Sequence, residues 1–188
     1  SIALGNAKKE LLHLGNYAAK AFDLSYDYII NSNEKVAEKG HKTEEAINTI
    51  DEKLTRYLIS LSGEALSQKE SEVLTNILDS SRDLERIGDH AEALINLNDY
   101  LQRKNVQFSN SALEELEDIY RQTSEFVKDA LESVENNDLE MAESLIERHE
   151  AINKMERVLR KTHIKRLNNG ECSTQAGVNF IDIISHYT

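Results

Sequence analysis

Not one of the 188 residues is proline, so the chain lacks the residue that most strongly interrupts a helix. Long stretches carry apolar residues at spacings of three and four, and the remainder is rich in Leu, Glu, Ala, Lys and Ile. Aromatic residues make up only 6% of the chain and β-branched runs are few, which disfavours a sheet. The sequence therefore predicts an all-α protein.

Helix-capping patterns place the ends of six predicted helices. Capping boxes begin at Ser67, Ser111 and Asn137, and Gly170 fits the left-handed residue that follows a helix. Several of these helices exceed 25 residues, and long helices with short connections favour antiparallel bundles. The predicted helices cover residues 5–30, 34–62, 68–101, 111–135, 138–168 and 174 onward.

The sequence also contains an internal repeat. The segment "EEAINTIDEKL" at 44–54 matches "HEAINKMERVL" at 149–159, an offset of 105 residues. We therefore expect two tandem antiparallel three-helix bundles, residues 1–105 and 106–188. The second is expected to be incomplete because the chain stops early in its last helix. A start without Met is expected of an excised or processed segment.

The charge balance excludes some partners. The formal net charge is −12, so the chain would be repelled by nucleic acid and by an anionic membrane surface. Its surplus of carboxylates suits hard cations, although it also serves solubility. No apolar run approaches the ~18 residues of a membrane span, and a single cysteine fits a reducing compartment.

The stretch "LDSSRDLERIGDHA" at 78–91 raises the question of a site. On a helical wheel, Asp79 and Asp83 share a face with Arg86 and His90, opposite the apolar stripe. Two carboxylates at i and i+4 repel each other unless a positive group lies between them, and a metal ion or Arg86 could provide it. The stripe comprises Leu74, Ile77, Leu84, Ala91 and Ile95, with the small residues Ser81 and Gly88.

The last predicted helix carries an altered copy of this pair. At an offset of 103 residues, Asp182 corresponds to Asp79, and His186 corresponds to Asp83. Asp and His at i and i+4 can both ligate one metal ion. Spacing alone leaves two interpretations open, a metal site and an ordinary solvated helix face with intrahelical ion pairs.

Enzymatic motifs are poorly represented. The chain has no glycine-rich phosphate loop, and "HEAIN" at 149–153 lacks the second histidine of a zinc-protease motif. A carboxylate-bridged di-metal enzyme needs ligands that converge inside a bundle, whereas these carboxylates point away from the apolar stripes. A di-metal enzyme is therefore the last of the alternatives that the residues leave open.

These residues resemble a known family. The segment "DLERIGDHA" at 83–91, with Asp79 four residues before Asp83, is similar to the signature of PhoU domains, which occurs twice in tandem three-helix bundles. The segments "ALGNAKKELLHLG" at 3–15 and "GVNFIDIISHYT" at 177–188 resemble the first and last helices. Within the family, the chain looks closest to the cytosolic C-terminal domain of bacterial sodium/phosphate cotransporters.

The resemblance implies a non-enzymatic cytoplasmic regulator of phosphate uptake whose partner is the membrane domain of a phosphate transporter, in the same chain or another. Some members of the family bind multinuclear iron or zinc clusters on their surface. Carried over, the metal candidates are Asp79, Asp83, Asp182 and His186, with Glu45 and Glu150 second in rank. The alternatives are a standalone PhoU regulator and a purely structural bundle that forms a homodimer.

Overall fold

The computed structural model describes all 188 residues as six α-helices without a strand, which confirms the all-α prediction. The predicted helix ends lie within three residues of the observed ones. The helices are α1 (Ile2–Asn31), α2 (Glu34–Ser62), α3 (Gln68–Arg103), α4 (Asn110–Asn136), α5 (Leu139–Asn168) and α6 (Thr174–Ser185).

The chain packs as two compact units, each with its own apolar core. The first contains Ser1–Ser25 and Asn33–Glu92, and the second contains Tyr26–Ser32 and Ala93–Thr188. The C-terminal parts of α1 and α3 therefore belong to the second unit, and the rest of both helices belongs to the first. The tandem division that we predict at residue 105 falls in the connection between α3 and α4.

The connection between α1 and α2 and the one between α4 and α5 have only two residues each. They lie 105 residues apart and have the same local backbone structure. In each, the first residue adopts a left-handed backbone, with φ of 51° at both Ser32 and Asn137. The second residue then caps the next helix, because Asn33 accepts from the N–H of Lys35 and Asp138 accepts from that of Met141. The internal repeat of the sequence is thus also a repeat of local backbone structure.

One of the three predicted capping boxes is present and two are shifted. At Ser67 the N–H donates to Glu70 Oε2 at 3.0 Å, and the N–H of Glu70 donates back to Ser67 Oγ at 3.2 Å. The cap of α4 is Ser109 rather than Ser111, and that of α5 is Asp138. In both cases a neighbouring residue with an equally suitable side chain takes the cap position.

The predicted apolar stripe of α3 is buried, and its small residues allow α2 to approach closely. Gly88 is buried, and a Cβ atom there would lie 3.1 Å from Ile47 Cδ1. Ile47 itself is completely buried. The closeness of α2 and α3 at this point depends on the absence of a side chain at Gly88.

We expect Gly177→Ala to lower the free energy of unfolding by about 1–3 kcal/mol because overpacking forces neighbouring groups to move. In α6 a Cβ at Gly177 would lie 2.4 Å from Leu167 Cδ2 and 2.5 Å from its Cγ. The matched control is Gly5→Ala in α1, where no atom lies within 4 Å of the added Cβ. There we expect a gain of about 0.5–1 kcal/mol from helix propensity.

Urea denaturation followed by circular dichroism measures both changes. The close packing of α6 against Leu167 would be refuted by a Gly177→Ala variant that is as stable as the wild type.

Candidate functional site

The first predicted acidic pair lies on an exposed face of α3. Asp79 and Asp83 are both exposed, as the wheel predicts. Arg86 Nη1 lies 3.8 Å from Asp83 Oδ1, and the side chains of this pair are 68% and 72% exposed. An ion pair so open to water contributes about 0–1 kcal/mol to stability. The structure thus shows an exposed acidic pair on α3, with Asp83 in an ion pair with Arg86 of the same helix.

The structure brings the second predicted pair within reach of each other. His186 Nε2 lies 3.8 Å from Asp182 Oδ1, and the two side chains are 21% and 56% exposed. The apolar residues Phe180 and Ile184 of α6 are buried on the other side of this helix. The helix ends at Ser185, so His186 is its C-cap residue rather than part of a helical turn.

No larger ligand set forms around either pair. Across all 188 residues, no three His, Cys, Asp or Glu side chains lie where they could together hold one metal ion. Asp79, Asp83, Asp182 and His186 remain predicted metal ligands that the structure arranges as two separate pairs.

A concentration of carboxylates that sequence reasoning missed lies on α2 and α3 in the first unit. Its members are acidic residues whose burial and mutual repulsion raise the pKa of Glu44, Asp51 and Glu85. We name it the carboxylate cluster, and it comprises Glu44, Asp51, Glu85, Asp89 and Glu92.

On α2, the carboxylate cluster contains the buried Glu44 and the half-buried Asp51. Burial raises the pKa of Glu44, and the charges of Glu92 and Asp89 raise it further. Burial also raises the pKa of Asp51, against the nearby Arg82 guanidinium, which lowers it. Asp51 Oδ1 is buried and receives no hydrogen bond. An ionised carboxylate is costly in such a place unless a cation or a donor approaches it.

On α3, Glu85 has its pKa raised first by burial and then by the negative charges of Asp89 and Asp51. The Arg82 guanidinium lowers the pKa of Glu85, but it is the one positive group that acts on this carboxyl. Most of the charges that act on Glu85 are therefore of like sign. The carboxylate cluster is therefore an electrostatically strained patch that a cation would relieve.

Replacing Glu85 with glutamine should stabilise the protein at pH 7 by about 0.5–1 kcal/mol, because it removes repulsion from two carboxylates. A carboxyl group whose pKa is raised on folding binds protons more tightly in the folded state. The stability that the Glu85 carboxyl contributes is thus fully present at acid pH. It is lost as the pH rises through the pKa that Glu85 has in the folded state. The gain in Glu85→Gln should disappear near pH 4, as measured by urea denaturation across pH.

Glu70→Gln provides a control of opposite sign on the same helix. Hydrogen bonds from Ser67 lower the pKa of Glu70, so its ionised form favours the folded state. This control variant should be less stable than the wild type at neutral pH, and its deficit should shrink as the pH falls. The account of the carboxylate cluster fails if both variants change stability in the same direction.

The second unit contains a cavity of about 340 Å³ beside the start of α4 and α6. Its wall includes His163, which is 3% exposed and stacks on Phe180 with ring centroids 3.8 Å apart. His163 Nε2 lies 2.8 Å from Glu115 Oε2, and Arg166 Nη2 donates to Glu115 Oε1 at 2.7 Å. Because these groups satisfy and neutralise one another, they fix the packing of α4 on α5.

Comparison with known proteins shows to which family the chain is related. Residues 11–97 and 116–188 both match the family model described as the PhoU domain. The chain belongs to the PhoU family. The two matched segments of this PhoU chain begin 105 residues apart, which is the offset of the internal repeat.

A relative from Thermotoga maritima, the phosphate-specific transport system accessory protein PhoU homolog 1, is 26% identical over 181 residues. That alignment covers 96% of this chain and 70% of the relative. The crystal structure of PhoU from Pseudomonas aeruginosa superposes with a TM-score of 0.91 at 17% identity. It covers 99% of this chain and 88% of that one, and at such low identity it shows a common fold.

The two PhoU repeats of the chain differ at the carboxylate cluster. At the offset of 105, Asp51 corresponds to Glu156, which is buried but forms an ion pair with Arg160 on its own helix. Glu44 corresponds to His149, which packs its ring against Phe126 at 5.8 Å. At the two α2 positions of the carboxylate cluster, the second repeat therefore has an ion-paired carboxylate and a packed ring instead.

Proposed function

We propose that this PhoU chain is a non-enzymatic regulator of phosphate uptake that acts on a phosphate transport system at the cytoplasmic face of the membrane. The observation that carries the proposal is the match of both repeats to the PhoU model. The relative that covers nearly the whole chain is named as an accessory protein of a phosphate-specific transport system.

The comparisons favour an accessory protein over the cytosolic domain of a sodium/phosphate cotransporter, because the relative is named as a transport accessory protein. No helix in the structure is long and apolar enough to cross a membrane. In the proposed role, the chain therefore reaches the transporter through protein surfaces. The transporter's membrane subunits or their cytoplasmic partners provide the other side of that contact.

Complementation tests this role. In a bacterial host whose own PhoU gene has been deleted, expression of the chain should lower the uptake of labelled phosphate in phosphate-rich medium. The control is Phe180→Ala, which we expect to unfold more readily while leaving every charged surface residue in place. An uptake rate that is the same with and without the folded chain would contradict the proposal.

We also propose that metal binding accompanies this role, with iron or zinc ions on the first repeat. Asp79 and Asp83 are the carboxylates that the resemblance suggests, but Glu85 and Asp89 have the same Glu/Asp-x-x-x-Asp spacing. Two observations support the second pair: its members repel neighbouring carboxylates, and burial raises the pKa of the nearby Asp51 in spite of Arg82 and Ser81, which lower it. Bound cations would offset both costs, after rotation of the more exposed side chains.

Metal analysis of purified protein separates the two locations. Wild type is compared with Glu85→Gln plus Asp89→Asn and with Asp79→Ala plus Asp83→Ala, after equal exposure to iron(II) or zinc. Loss of metal in the first double variant alone would place the ions at the carboxylate cluster, and loss in the second alone would place them on the exposed face of α3. Equal metal content in all three proteins would refute both.

A further inference from the structure

The cavity of the second unit is formed where two helices begin. A volume of about 340 Å³ is within the range of pockets that hold small organic ligands. The first turns of both helices carry the positive ends of their dipoles. The residues that these turns contribute to the wall are Ser109, Ser111 and Ala112 of α4, and Ser173, Ala176 and Gly177 of α6.

The capping serines satisfy only part of the two N-termini. Ser109 Oγ accepts from the N–H of Ala112, and Ser173 Oγ accepts from that of Ala176. The N–H groups of the first two residues of each helix have no acceptor within that helix. Donors of this kind bind phosphate, sulfate and carboxylate groups.

A buried side chain in the wall provides an independent sign of a ligand. His163 is 3% exposed, and its Nε2 lies 2.8 Å from Glu115 Oε2. Because a carboxylate only accepts, Nε2 carries a proton and donates to Glu115. Beyond this contact and that of Nε2 with Arg166, the structure gives the ring no hydrogen bond, so Nδ1 has no partner within the chain. Buried polar atoms normally have one, and a ligand in the cavity can provide it.

Much of the remaining wall is aromatic or small and apolar. Phe108 is half-buried and meets the buried Phe180 ring edge-on, with centroids 5.8 Å apart. Aromatic residues beside a few polar groups are typical of sites for small organic ligands. The one carboxylate in the wall, Glu171, is exposed and accepts at 3.2 Å from Asn169 Nδ2, which lies outside the wall.

The first repeat carries an acid of its own at the matching helix start. At the offset of 103 residues, Ser173 corresponds to Glu70, whose Oε2 accepts from the N–H of Ser67 at 3.0 Å. A carboxylate of the chain thus lies at the N-terminus of α3, where the helix dipole favours negative charge. In α6 a serine stands at this position, so the second repeat leaves room there for an anion from outside the chain.

We propose that the cavity binds a small soluble phosphate ester, with its phosphate group at the N-termini of α4 and α6 and its organic part against Phe108. Phosphate oxygens point in several directions, which suits donors that come from two helices and from the Arg166 guanidinium. A volume of about 340 Å³ accommodates a metabolite-sized ester rather than a lipid with its acyl chains. Such a site would give the chain an input of its own, beyond its contact with a transporter.

Isothermal titration calorimetry of the whole chain with three probes tests the proposal. The probes are phenyl phosphate, inorganic phosphate and phenol, which offer both parts of the ligand, the anion alone and the ring alone. Phenyl phosphate should bind with a dissociation constant at least about tenfold lower than either of the others. It should also slow the alkylation of Cys172 by iodoacetamide, because this single cysteine lies in the wall.

A matched pair of charge variants locates the phosphate group. Ser111→Asp places a carboxylate in the wall, and an acid in the first turn favours a helix, so this variant should stay folded. It should bind phenyl phosphate at least about tenfold more weakly than wild type, because like charges repel. The control, Ser144→Asp, makes the same change at an exposed site roughly 28 Å along α5 from His163 and should bind like wild type.

Four results would each overturn the proposal. Wild type that fails to bind phenyl phosphate at ~10 mM would refute the site. Phenol that binds as tightly would refute the anion, and inorganic phosphate that binds as tightly would refute the organic part. Ser111→Asp and Ser144→Asp variants that bind equally well would place the ligand outside this cavity.

Discussion

Phe180→Ala should lower the free energy of unfolding by about 3–5 kcal/mol, the largest effect that we expect from any single substitution in the second unit. The side chain is 1% exposed, stacks on the buried His163 ring and meets Phe108 edge-on with centroids 5.8 Å apart. Removal of the ring leaves a void that the neighbouring helices fill only in part. It also exposes His163 and its bond to Glu115 to water from the adjoining cavity.

The matched control is Val178→Ala, two residues earlier on α6, where the side chain is 54% exposed. We expect its stability to stay within about 0.5 kcal/mol of wild type. Urea denaturation followed by far-ultraviolet circular dichroism measures both variants. If the two substitutions cost the same, the stacked ring is not a core residue and the packing of α6 described above is wrong.

The second large effect concerns metal and the carboxylate cluster. If the proposed ions bind there, metal at ~100 times its dissociation constant should raise the free energy of unfolding by about 2.7 kcal/mol, because it binds the folded state alone. Thermal denaturation with zinc, and again after chelation, measures this gain. In Glu85→Gln plus Asp89→Asn the gain should be absent, while that variant without metal should be more stable than wild type at pH 7.

Proton competition gives this effect a pH dependence. The pKa values of Glu44, Asp51 and Glu85 are raised, so protons compete with metal at these groups at higher pH than at an ordinary carboxylate. The gain from metal should therefore shrink as the pH falls from 7 towards 5. A gain that persists in Glu85→Gln plus Asp89→Asn, or one that is independent of pH, would place the ion elsewhere.

Local patterns were sufficient to predict the helices. Without proline, helix ends are set by caps and by left-handed residues, and these signals lie within a few residues of each end. Where two suitable caps stand together, as Ser109 and Ser111 do, sequence alone does not decide which one accepts the hydrogen bond. The fold class was also predictable from the spacing of apolar residues. The stripe that this spacing indicates on α3 is buried in the structure.

The carboxylate cluster was harder to predict because it depends on an approach between helices. Glu85, Asp89 and Glu92 recur at i, i+4 and i+7, a spacing that places them on one side of α3. The sequence does not reveal that Gly88 admits Ile47 so closely that Glu44 and Asp51 become their neighbours. Wheel geometry selects an exposed acidic pair, whereas electrostatic strain arises beside the core, where water is scarce.

The two-residue links at Ser32 and Asn137 bear on how the chain folds. Each joins long helices that meet after a reversal of minimal length, so closing the hairpin costs little loop entropy. In the second unit, the hairpin of α4 and α5 draws only on residues 110–168, and the shortest-range contacts between its two helices lie beside the link at Asn137. Contacts of short sequence separation favour rapid folding. The repeat thus supplies the protein with a hairpin in each half from which assembly can begin.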